Sequence, residues 1–93
     1  MFVTARIIRQ TDGRHKLIYT AEDNITLGRI EIVTKGENGR SLQLRVKEVI
    51  GTDVGTENGH IVIRNVPAGI KQTVVFSLTD SQNYAMGVKA YGN

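Results

Sequence analysis

The chain has 93 residues, a formal net charge of +3 and no cysteine. That length holds one domain over 1–93 with an ordinary core, and the missing thiols exclude a disulfide framework and a thiolate metal site. No apolar run approaches the roughly 20 residues that span a bilayer, and Met1–Arg6 lacks the apolar stretch of a secretory leader, so a soluble module with no membrane contact is expected.

The first strand is predicted over Phe2–Gln10, with Val3, Ala5 and Ile7 on one parity and Arg6 and Ile8 on the other. Asp12-Gly13 reverses the chain into Arg14–Thr20, where Leu17 and Tyr19 alternate with Lys16 and Ile18. Residues 21–24 (Ala-Glu-Asp-Asn) break that pattern. Leu27–Thr34 follows, with Ile30 and Ile32 inward and Arg29 and Glu31 outward, and Asn38-Gly39 supplies a second turn. Ser41–Val49 is read as one strand in which Leu42, Leu44 and Val46 alternate with Gln43, Arg45 and Lys47, the signature of an antiparallel strand with one wet face.

Residues 50–59 carry Gly51, Gly55 and Gly59 and read as the longest irregular connection, closed by Asn58-Gly59. His60–Asn65 is the next strand, and Pro67, which cannot donate to a ladder, marks its end. Ile70–Leu78 places Val74, Phe76 and Leu78 on one parity. After a turn at 80–83, Tyr84–Tyr91 closes the series with Tyr84, Met86, Val88 and Ala90 on one face. Asn-Gly and Asp-Gly pairs tolerate the positive φ of hairpin turns. Together these features predict an all-β, immunoglobulin- or fibronectin-like sandwich of about seven antiparallel strands. A small closed barrel is the alternative.

Catalytic chemistry finds little purchase here. Ser41, Ser77 and Ser81 lie in no nucleophile elbow, and Glu22 and Asp23 are sequence neighbours whose side chains point apart on an extended backbone. His15 and His60 stand at strand ends without ligand spacing and are expected as solvent-exposed loop residues. The chain is therefore read as a non-enzyme with no metal and no cofactor.

Recognition is the remaining role. Exposed loops on rigid sheets carry binding, which singles out Asp53, Glu57 and Asn58 in the 50–59 segment. The terminal strands have apolar residues on both parities, so Ile8 and Tyr91 are candidates for contact with a protein partner or a second copy. Arg6, Arg29, Arg45 and Arg64 each fall on an outward parity and would form the basic face of a nucleic-acid or polyanion binder. With only five aromatics and no long run of bases, that reading ranks below protein recognition. A structural domain that assembles a homo-oligomer stands between them.

The stretch Val75-Phe76-Ser77, Asp80, Gln82 and Val88-Lys89-Ala90-Tyr91-Gly92 resembles strands of the β-domain with which DnaK-type chaperones hold peptides. Asp23-Asn24 and Leu27-Gly28 resemble another segment of that domain, although the two segments occur here in the opposite order. The resemblance covers a minority of the chain and implies polypeptide binding.

Overall fold

A computed structural model describes residues 3–35, 41–42, 45–79 and 85–92. The strands, in chain order, are β1 (Val3–Arg9), β2 (His15–Ala21), β3 (Arg29–Lys35), β4 (Ser41–Leu42), β5 (Val46–Ile50), β6 (Val54–Glu57), β7 (His60–Ile63), β8 (Gln72–Leu78) and β9 (Ala85–Tyr91). The predicted turns at Asn38-Gly39 and 80–83, together with Phe2, Leu44 and Tyr84, lie outside the described residues.

All ladders between strands are antiparallel. Sheet one has the order β1-β2-β8-β5. In sheet two β3 pairs with β9 along one edge and with β7 and the short β4 along the other, and β6 flanks β7. The two sheets are separate hydrogen-bonded layers packed face to face, so the chain is a sandwich and not a closed barrel. Inward parities agree with the alternation read from the sequence. Leu17, Tyr19, Val74 and Phe76 from sheet one meet Ile30, Ile32, Ile61 and Ile63 from sheet two, all of them buried.

Two segments depart from expectation. The Gly-rich stretch 50–59 is not an irregular loop, because β6 pairs with β7 in register from Val54↔Ile63 to Glu57↔His60. Asn58 and Gly59 take φ of 50° and 76°, the double positive φ of a type I′ turn, which makes this the tightest hairpin described. The predicted single strand Ser41–Val49 is instead divided. Its first part, β4, belongs to sheet two, and β5 belongs to sheet one. A register shift between Val46 and Glu48 places Lys47 in a bulge, which twists an edge strand and shields it from pairing.

The β1–β2 turn is also wider than a two-residue loop. Gly13 N–H donates to the Gln10 carbonyl at 3.1 Å and Gln10 N–H donates to Arg14 at 2.7 Å, with only Gly13 at positive φ. That is a type I turn closed by a glycine bulge. One end of the core is sealed by a clasp in which Ile25 and Val66 exchange backbone hydrogen bonds of 2.8 and 2.7 Å. Asn24 Oδ1 accepts from the Ala68 N–H at 2.7 Å, which explains why β2 stops before the 22–24 segment.

Candidate interaction surfaces

The outer face of sheet two gathers most of the sequence-predicted contact residues. Register puts Asp53, Gly55 and Glu57 of the β6 strand and its approach beside Arg64, Val62 and His60. Farther across the sheet stand Arg29, Glu31 and Val33, then Tyr91, Lys89 and Gly87. Glu31 is the hub: its side chain is only 11% exposed, it accepts from Arg29 Nε at 3.3 Å, and His60 Nδ1 lies 3.4 Å away without a hydrogen bond. A carboxylate removed from water this far needs such partners. The Arg29 guanidinium also covers the Tyr91 ring at 4.1 Å.

Arg64 and Glu57 bond at 3.1 Å although they project from opposite ends of the β6–β7 hairpin, so their chains meet over the Gly55↔Val62 pair. They border an open depression of about 460 Å³, lined also by Asp53 and Thr56. Asp53 and Asn58 have backbone duties as well. Asp53 takes φ 51° and its carbonyl accepts from Arg64 N–H at 3.0 Å, while Asn58 forms the turn.

The four arginines proposed for a polyanion do not converge. Arg29 and Arg64 lie on sheet two, each against a carboxylate. Arg6 lies on the outer face of sheet one, opposite Ile18, and Arg45 precedes β5, where its carbonyl accepts from Thr79. Ile8 and Tyr91 are likewise divided between the two faces. Parity shows which residues face outward, but not which sheet a strand joins.

The outer face of sheet one is different in kind. Ile8, Lys16, Val75 and Ile50 form one row across all four strands, and Arg6, Ile18 and Thr73 form the next. Ile8 is 37% and Ile50 54% exposed. Arg14 and Glu48 close the far side, reaching within 3.8 Å of each other over the small Ser77. Ile18, Val75 and Ile50 were not singled out from the sequence. The available signal was an isoleucine at 18 and a valine at 75 on parities that should be wet.

Both histidines are correctly placed at strand starts but are not the exposed loop residues expected. His15 stacks on Phe76, and His60 packs beside Glu31. Burial lowers the His15 pKa, with the nearby Arg9 charge adding to it. Burial raises that of Tyr19, whose hydroxyl donates to Gln72 Oε1 at 2.9 Å. Asp12 is held below the usual carboxylate value by hydrogen bonds from the Arg14 backbone and side chain. Among the described residues no three His, Asp or Glu side chains are grouped to hold a metal ion.

No protein-family model, curated protein or solved structure matches the chain.

Proposed function

We propose that the chain is a non-enzymatic, immunoglobulin-like interaction module that recognises another protein through the outer face of sheet one. One observation carries this reading: four β-branched side chains, Ile8, Ile18, Val75 and Ile50, stand on that face, one from each strand. Single exposed apolar residues are ordinary, but apolar side chains on every strand of one outer face, in two adjacent rows shared with Lys16 and Arg6, are the pattern of a contact surface. On sheet two, the outward Arg29, Glu31, Glu57 and Arg64 are engaged in ion pairs within the molecule.

The test is capture from cells that produce the protein. The wild type is compared with Ile8→Ser/Ile50→Ser and with the sheet-two variant Arg64→Ser/Tyr91→Ser, all confirmed folded by circular dichroism. Loss of the same partner in the first variant alone supports the reading. Loss in the second alone moves recognition to sheet two.

A further inference from the structure

We infer that the sheet-one face selects a partner segment that alternates acidic and apolar side chains. This rests on the proposed protein recognition and adds the chemistry of the partner. On β1 the outward residues are Arg6 and Ile8; on β2 their register partners are Ile18 and Lys16. The result is a square with isoleucines on one diagonal and bases on the other. Diagonal neighbours on adjacent strands are roughly 7–8 Å apart. Neither Arg6 nor Lys16 makes an ion pair among the described residues, whereas Glu48 on the same face reaches Arg14.

An occupant that buries the isoleucines also covers both bases, and desolvating an unpaired cation is costly. It must therefore bring carboxylates to Arg6 and Lys16 while giving apolar groups to Ile8 and Ile18. An extended strand does this with side chains at alternate positions, whose spacing of roughly 6.7 Å repeats that of Arg6 and Ile8. A second copy of the chain is the poorer fit, because its own face offers the same two unpaired bases. Position favours this corner for a further reason: among the described residues β1 is an edge strand paired to β2 alone through all seven of its residues, with no register shift. Its free edge leaves room for a partner strand to lie beside or over it.

The experiment is titration of the full chain, observed residue by residue by NMR, with a peptide repeating Glu-Ser-Ile-Ser. Two control peptides carry Lys for Glu or Ser for Ile. Saturable shifts are expected around Arg6, Ile8, Lys16 and Ile18 with the acidic peptide. Binding is expected to be about tenfold weaker with either control and to weaken in about 0.5 M salt, where screening is short-ranged. Arg6→Glu/Lys16→Glu should reverse the preference towards the lysine peptide, and its own spectrum reports whether it is folded.

Equal binding of the acidic and lysine peptides overturns the acid selectivity; loss with the serine peptide would then leave the apolar contact face standing. Absence of shifts on this face with every peptide overturns the inference, and the capture experiment separately decides the broader reading. Binding of phosphatidylserine vesicles without binding of the acidic peptide also overturns it, in favour of an anionic membrane surface. A concentration-dependent dimer in light scattering that Ile8→Ser abolishes overturns it in favour of self-association.

Discussion

His15 and Phe76 face one another across the β2–β8 ladder, and their rings stack with centroids 5.2 Å apart and planes 14° from parallel. The imidazole Nδ1 is buried and lacks a hydrogen-bond partner among the described residues. Burial, with Arg9 opposite on β1, lowers its pKa below the ordinary value of about 6.5. The unfolded chain therefore binds this proton more tightly than the folded one, and acid favours unfolding. Stability from this site is complete above about pH 6.5 and declines as pH falls towards the lowered folded value. Asp12, also lowered, acts in a separate window, losing its contribution as pH falls below about 4. Urea midpoints should fall between about pH 7.5 and 5 in the wild type, and His15→Phe should flatten that slope. An equally steep slope in the variant would place the titration elsewhere.

Tyr19 and Gln72 form a second cross-strand pair on the core side of sheet one, hydroxyl to amide oxygen at 2.9 Å. Gln72→Leu leaves the buried Tyr19 hydroxyl without its acceptor and should cost about 1–3 kcal/mol in chemical denaturation. Adding Tyr19→Phe removes the orphaned group, so the double variant should recover much of that loss. A double variant no better than Gln72→Leu would show that packing, not the hydrogen bond, sets the cost.

Gly28 sits before β3 where a Cβ would run into the carbonyl oxygens of Tyr91 and Gly92. Gly28→Ala should destabilise by about 1–3 kcal/mol, the range for overpacking a close contact. Gly55 is the control: its added methyl meets nothing within 4 Å. Gly55→Ala should therefore leave stability unchanged or slightly raise it. Thermal melts of both variants give the comparison directly.

At the β6–β7 turn, Asn58→Gly preserves the positive-φ geometry and should be tolerated, whereas Asn58→Val should cost about 1–2 kcal/mol. If Asn58 served recognition alone, both substitutions would leave the melting temperature unchanged.

Strand periodicity made the core legible in advance. Ile30 and Ile32 are inward by parity, Leu17 shares a parity with Tyr19 and Val74 with Phe76, and all six are buried. The glycines of 50–59 hid β6, since low β-propensity there is overcome by the type I′ turn and the β7 partner, a long-range pairing that composition does not report. The regular alternation of 42–47 likewise concealed the passage from one sheet to the other, whereas the slip in phase from Val46 to Val49 is the sequence mark of the bulge at Lys47. Of the candidate surface, Ile8 was visible as an apolar residue on a wet parity. Its row with Val75 and Ile50 depends on β2, β8 and β5 being neighbours, and sheet order is a tertiary fact.

The most direct measurement is site-specific photo-crosslinking in the producing cells, with the photoreactive residue at Ile50 on sheet one or at Val33 on sheet two. Recognition through sheet one predicts a discrete adduct to another protein from position 50, lost when Arg6→Glu/Lys16→Glu is added, and none from position 33. Adducts from position 33 alone would contradict it.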